Sequence, residues 1–211
     1  MIHTIVTDLD WVLFDSVKVY KEAIWFAAKI LWKEISHEEI NKHIASRETF
    51  EAFFWDQKAK AYQIFHEYCK EEETWEKFNM FPWVKDSLEQ LQSSWINIFA
   101  FTDRTRKATE VILGHHWLSE IFRWNFISRC CTWVKKPSPT WLNKIMLQNQ
   151  LSAQNIVYIW DTHNDFTAWK LAWVQFIWVN SWINSKNDWD NMWIANIDFF
   201  PNILEILQVN R

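Results

Sequence analysis

A chain of 211 residues with a formal net charge of −4 and a pI near 6.0 suffices for one large core with an insertion, or for two small ones. The acidic balance argues against a nucleic-acid partner, which a basic face would mark, and no apolar run of the roughly 18 residues that a membrane span needs is present. Three cysteines, with Cys130 and Cys131 adjacent, give no disulfide framework, and the N-terminus runs straight into a strand without a leader-like segment, so a reducing cytoplasm is expected.

In chain order, His3 to Thr7 reads as a first strand ending in acids. From Ser16 to about Met80 no convincing strand is visible. Ala23, Phe26, Ala27, Ile30 and Leu31 recur at helical spacing, as do Phe50, Phe53, Phe54, Ala61, Ile64, Phe65 and Tyr68. This stretch predicts three or four helices, one opened by the capping-box pattern Ser36-His37-Glu38-Glu39. The aromatic series Phe50, Phe53, Phe54 and Trp55 reads as the core of that helical segment. After Phe81-Pro82-Trp83 the pattern becomes helix and strand in alternation. Helices are predicted at Val84 to Gln92, Arg106 to Leu113, Pro139 to Gln150, Asp165 to Ala172 and Ile203 to Leu207. Strands are predicted at Ile96 to Phe101, Phe126 to Ser128, Ile156 to Ile159 and Gln175 to Val179. Such alternation implies an α/β fold with a mostly parallel sheet covered on both faces.

Composition carries an anomaly. There are 18 tryptophans and one glycine, and together they come to about 9% of the chain, close to an ordinary glycine share. The tryptophans also fall where chain geometry asks for glycine. Trp83 follows Pro82 at a helix start, while Trp95 and Trp173 each end an amphipathic helix just before a strand. The position after a helix favours glycine because the chain turns through the left-handed region there. Trp182 and Trp189 sit in Asn/Ser/Asp turns in the same way. The expectation is that most of these residues stand for glycines, through a UGA codon read as glycine in the organism.

Four segments carry chemistry. Asp8 and Asp10 lie two residues apart where the first strand runs out. One carboxylate can attack phosphorus; the other can protonate the leaving oxygen and then deprotonate a water. Two carboxylates beside a phosphate dianion repel, so a divalent cation such as Mg²⁺ with hard oxygen ligands is needed. The strand Phe99-Ala100-Phe101-Thr102 ends in a hydroxyl that can bind a phosphoryl oxygen together with backbone N–H groups at the next helix. Lys136, in Lys135-Lys136-Pro137-Ser138, can offset transition-state charge. Asp161 and Asp165 follow the strand Ile156 to Ile159, with Asp161 best placed to hold metal.

With glycine read for tryptophan, the ordered set resembles the haloacid dehalogenase-like hydrolase superfamily over nearly the whole chain. The residues that carry the resemblance are Asp8-Leu9-Asp10-Trp11-Val12-Leu13-Phe14-Asp15-Ser16, Phe81-Pro82-Trp83-Val84, Phe101-Thr102-Asp103, Lys136-Pro137-Ser138-Pro139 and Trp160-Asp161-Thr162-His163-Asn164-Asp165. It is most similar to the phosphoglycolate phosphatase and β-phosphoglucomutase branch. The resemblance implies a Rossmann-like core of residues 1–15 and 81–211, with a helical cap of residues 16–80 inserted after the first strand. It further implies Mg²⁺-dependent hydrolysis of a small phosphate monoester through an aspartyl-phosphate, by a monomer or weak homodimer. Asp8 would be the nucleophile and Asp10 the general acid/base. Thr102, Asp103 and Lys136 would line the phosphoryl site. Mg²⁺ would be held by Asp8, the Asp10 carbonyl and Asp161, with Asp165 behind them. Asp10 argues against the dehalogenases themselves, which lack that second acid. The alternatives are a phosphosugar mutase on the same core and a catalytically impaired binding protein.

Several residues depart from that pattern or stay outside it. Trp11 and Trp160 occupy the glycines flanking the phosphate and metal residues, and an indole in place of a hydrogen predicts overpacking. Asp103 stands where the family often has Asn. Arg104 and Arg106 can offset its charge, or simply begin a solvated helix. His115 and His116 read as helix-end residues and His163 as turn packing. Glu71-Glu72-Glu73 reads as a solvated helix end, and Arg47, Lys58 and Lys60 as candidates for a substrate anion.

Overall fold

The computed structural model describes residues 2–44, 49–69, 75–123, 125–128, 138–160, 171–180 and 195–207. Its centre is a six-stranded sheet in the order β5-β4-β1-β6-β7-β8, all pairings parallel. The strands are β1 (Thr4–Thr7), β4 (Asn97–Thr102), β5 (Phe126–Ser128), β6 (Ile156–Trp160), β7 (Gln175–Val179) and β8 (Ala195–Ile197). β1 is buried along its whole length, as an inner parallel strand covered on both faces must be.

Successive residues of each strand go to opposite faces, and the core divides accordingly. Ile5, Ile98, Ala100, Val157, Ile159, Ile177 and Val179 face one cluster. It is closed by helices α5 (Val84–Ser93), α6 (Arg106–His115), α7 (Ser119–Phe122) and α9 (Ile203–Ile206). Val6, Phe99, Phe101, Tyr158, Trp160, Phe176 and Trp178 face the other, against Trp141, Leu142 and Ile145 of α8 (Thr140–Gln148). The α/β reading of the sequence is thus correct. It omitted β8, where three residues with an Asn at their centre leave too little periodicity to see.

Between β1 and β4 the chain forms α1 (Val17–Ile30), α2 (His37–Ile44), α3 (Thr49–Phe54) and α4 (Lys58–Tyr68). α1 buries Val19, Ala23, Ile24, Ala27 and Ala28, a stripe at helical spacing. Ile24, Ala27, Ala28 and Leu31 meet Ile40, Phe54 and Ala61 in a small core of their own. The foreseen capping box is present: Glu39 N donates to Ser36 Oγ at 3.2 Å, and Ser36 N donates to Glu39 Oε2 at 2.8 Å. Trp55 departs from expectation, since it is 82% exposed rather than part of this core. A further departure lies at the ends of the segment. Phe14–Asp15 (β2) and Asn79–Met80 (β3) pair antiparallel, so the outgoing and returning chains lie side by side. Two-residue strands carry no alternation for sequence reading to detect.

The backbone answers the tryptophan anomaly directly. Among the described residues eight non-glycine positions have positive φ, and six are tryptophan: Trp11, Trp32, Trp83, Trp95, Trp117 and Trp173, all between 55° and 62°. Three of them close helices in the same way. Lys33 N donates to Ala28 O, Ile96 N to Leu91 O and Leu118 N to Leu113 O, at 2.8 to 3.1 Å. Each bond spans five residues across a left-handed Trp32, Trp95 or Trp117, the geometry that glycine serves. At Phe81-Pro82-Trp83-Val84, Val84 N donates to Phe81 O at 3.4 Å. Proline second and positive φ third make this a turn of type II.

Truncating the central side chain of the helical segment, Phe54→Ala, removes a fully buried ring and should cost about 3–5 kcal/mol. Urea denaturation of the variant beside the parent chain measures it.

Candidate active site

Strand order places the site. From β1 the chain moves to β4 and β5 on one side, then crosses back to β6 on the other. β1 therefore sits at the switch point, where an open parallel sheet leaves a crevice beyond its carboxyl ends. Thr7 aligns with Ala100 of β4 and with Ile159 of β6. Asp8 is the next residue along β1, and its N–H still donates to Ile159 O at 3.2 Å. Thr102 ends β4 two residues past Ala100, so it leaves the sheet at the same edge. Both are buried, with Asp8 7% and Thr102 1% exposed. Leu9 N donates to Asp8 Oδ1 at 2.6 Å, and Arg104 N donates to Thr102 Oγ1 at 3.2 Å. Strand β6 ends at Trp160 in the lane beside β1.

Asp10 lies in the loop that follows. Leu13 N and Phe14 N both donate to Leu9 O at 2.9 Å, and Trp11 N donates to Phe14 O at 2.7 Å. This tight coil turns Asp10 away from the strand axis and onto Arg104. Arg104 Nε donates to Asp10 Oδ2 at 2.9 Å and Nη2 to Oδ1 at 2.5 Å. Ser16 Oγ donates to Oδ1 as well, and the Tyr20 hydroxyl adds a further bond. Burial pushes the Asp10 carboxyl upward, but the Arg104 guanidinium outweighs it, with help from Ser16 and Tyr20, and the net value falls below the ordinary carboxylate range. Arg104 is itself buried. Burial would lower its pKa, yet Asp10 holds it above the usual arginine value.

Arg104 is the residue that sequence reasoning underrated. A solvated helix start was one reading of it; in the fold its side chain is only 6% exposed, and its guanidinium lies 4.1 Å from the centre of the Phe78 ring. The Trp75 ring lies 5.5 Å away on the same group. Asp103, expected beside the phosphate, is solvent-exposed. The one available signal was the Asp-x-Asp loop itself, whose second acid needs a buried cation unless it faces water. Cys69, also buried here, has its thiol pushed up to about 12 by burial and so carries no thiolate at neutral pH.

Two further side chains join the site to the helical segment. Ser16 and Tyr20, which reach Asp10, lie at and within the start of α1. His116, expected at a helix end, does follow α6. Its Nε2 lies 2.5 Å from Phe78 O, its ring meets Phe14, and burial lowers its pKa below the usual histidine value. Lys136, Asp161, Asp165, His163 and Arg47 lie outside the described residues. Lys58 and Lys60 lie in α4. No described helix is long and apolar enough to cross a membrane.

Comparison with known proteins agrees with this fold. The haloacid dehalogenase-like hydrolase family profile matches residues 5–179. Phosphoglycolate phosphatase of Vibrio parahaemolyticus serotype O3:K6 (strain RIMD 2210633) is 25% identical, over 81% of this chain and 80% of its own. Among solved structures, a haloacid dehalogenase-like family hydrolase of Streptococcus pneumoniae superposes with a TM-score of 0.80 at 21% identity, covering 98% of this chain and 97% of that one. CbbY of Rhodobacter sphaeroides, solved in complex with phosphate, superposes with a TM-score of 0.75 at 17% identity, with 96% of each chain covered. By its fold, the placement of its acids and the family match across most of its length, the chain belongs to the haloacid dehalogenase-like hydrolases.

Proposed function

We propose that this hydrolase cleaves a small phosphate monoester of the phosphoglycolate type, with Mg²⁺, through a phosphoryl group carried on Asp8. The observation that carries the reading is the meeting of buried Asp8, buried Thr102 and arginine-bound Asp10 at the switch point of one parallel sheet. The named relative from Vibrio supports the substrate class.

The donor set suits a hard cation. Asp8 is a buried carboxylate, and the one guanidinium described beside these acids is engaged by both oxygens of Asp10. In sequence Asp161 follows directly on Trp160, the last residue of β6, and β6 pairs with β1. Asp8, the main-chain carbonyl of Asp10 and Asp161 would hold Mg²⁺, with Asp165 supporting them. Bound there, the ion would neutralise the phosphate and the carboxylates as they approach.

The chain's own groups would act in two stages. An Asp8 carboxylate oxygen attacks phosphorus, the ester P–O bond breaks, and the leaving oxygen takes a proton from Asp10. A water then attacks the phosphoryl group and gives its proton to Asp10, and the bond from phosphorus to Asp8 breaks. The Thr102 hydroxyl and the N–H groups opening α6 bind phosphoryl oxygens, with Asp103 at the rim and Lys136 balancing charge. A carboxylate gripped by Arg104 through two bonds has no proton to give. Asp10 must therefore be released by Arg104 before the first stage, and its present pairing is that of the base. Residues 16–80 serve as a cap whose approach excludes water and shapes the pocket. Because Ser16 and Tyr20 touch Asp10 from that segment, cap movement and Asp10 release are mechanically linked.

Five outcomes test this reading and the ion pair beneath it. Phosphate release from phosphoglycolate and p-nitrophenyl phosphate, assayed on the chain and on Trp11→Gly, should require Mg²⁺ and stop on chelation. Asp8→Asn should abolish it, whereas Thr102→Ala should slow it roughly 10²-fold, the range for losing one oxyanion donor; turnover surviving in Asp8→Asn rules the covalent route out. Arg104→Ala leaves the Asp10 carboxylate buried without its cation and should cost about 3–5 kcal/mol in urea unfolding. Since Asp10 is held below the ordinary range, the pair stabilises the fold above about pH 4 and that contribution is lost as pH falls through the lowered value. The stability gap between parent and variant should accordingly narrow on acidification.

A further inference from the structure

We infer that the six tryptophans at positive φ, Trp11, Trp32, Trp83, Trp95, Trp117 and Trp173, occupy positions where the protein made in its own cells carries glycine, through UGA codons read there as glycine. The inference rests on backbone geometry and not on the reaction proposed above.

The distribution is selective. Tryptophan holds six of the eight left-handed positions among the described residues. The single glycine sits where none is required: Gly114 is within the last turn of α6, it does not have positive φ, and a Cβ built on it meets only Ser119 Oγ, at an ordinary 3.8 Å. Left-handed geometry crowds the Cβ of an L-residue against the following carbonyl. A protein that needs the turn and owns a glycine does not place the glycine in a helix and a tryptophan in the turn, six times over.

The side chains give no countervailing reason to be there. Trp32, Trp95 and Trp117 are 94%, 91% and 80% exposed, so the area that makes an indole useful is left in water. Trp83 and Trp173 are exposed as well. A docking surface would select for indoles but has no call for left-handed backbone beneath each one. Trp11 is the converse case. Its ring is wedged edge-on against Tyr20, 5.5 Å between centres, and its buried Nε1 finds no acceptor among the described residues. It lies between the loop of Asp10 and Val179, Asn180 and Phe200 at the carboxyl end of the sheet. Glycine at position 11 would keep the coil of the loop and remove an orphaned donor from that space. The buried Trp141, in helix α8, is crowded as Trp11 is: its Nε1 also lacks an acceptor among the described residues, and its ring is pressed to 3.6 Å from that of Phe101, closer than aromatic pairs normally settle.

Peptide mass spectrometry of protein purified from its source cells tests the inference, with the gene's codons read alongside. Glycine masses and UGA codons at all six positions are expected; a tryptophan mass or a UGG codon at any of them overturns it. A second measurement uses the recombinant chain. Trp32→Gly, Trp95→Gly and Trp117→Gly should each raise the folding equilibrium constant about five- to thirtyfold, the relief of one left-handed L-residue. Trp55→Gly is the control, because Trp55 is equally exposed but has negative φ; there glycine should lower the constant. No gain at the three positions, or an equal gain at Trp55, overturns the backbone argument. Glycine masses from an enzyme that releases no phosphate from any ester would refute the proposed phosphatase and leave this inference standing.

Discussion

Two opposite charges are taken out of water at the heart of this molecule, and the Asp10–Arg104 pair is stable only because the fold delivers both at once. Removing either ion from solvent costs several kcal/mol, repaid only by close, bidentate geometry and by further donors on the remaining lone pairs. Ser16 and Tyr20 supply those donors, and the Phe78 and Trp75 rings cover the guanidinium. One partner comes from the loop after β1 and the other from the loop after β4. The pair therefore fixes the relation between two sequence motifs 94 residues apart, and with it the edge of the sheet at which Asp8 and Thr102 emerge.

Much of the fold was legible because a doubly covered parallel sheet writes itself as short apolar runs between amphipathic helices. Ile156–Trp160 and Gln175–Val179 are such runs, and each was read within a residue. The elements that escaped are those with too few residues for a period: β2, β3, β8 and the single-turn α7. At the site, acids at strand ends are visible because type and position suffice. Asp8 and Thr102 do lie together at the expected edge. What cannot be read from a line of residues is which cation meets which acid. Arg104 and Arg106 are two apart and chemically alike, yet the first is buried on Asp10 while the second pairs with Glu110 at the surface, 2.9 Å away. Two residues of loop before α6 separate a buried arginine from a solvated one.

Conformation can also outvote composition. Read as written, a protein with this many indoles suggests sticky surfaces or an aromatic ligand platform. Read through φ, six of them resolve into helix ends and turns, and the exposure of five of those becomes incidental to a backbone requirement. Torsion angles thus carry information about residue identity that side-chain contacts do not, because a turn constrains its occupant even when nothing touches it.

The pairing of Phe14 with Met80 and of Asp15 with Asn79 has a topological consequence. As far as the sheet is concerned, a segment of more than sixty residues is attached through what amounts to the two legs of a hairpin, a few ångströms apart. A graft of different length or composition would enter and leave through the same doorway without straining the strands below. The sheet with its buried charges and the segment hung from it can in this way diversify on separate schedules, the one held by ion pairing and the other free to be exchanged.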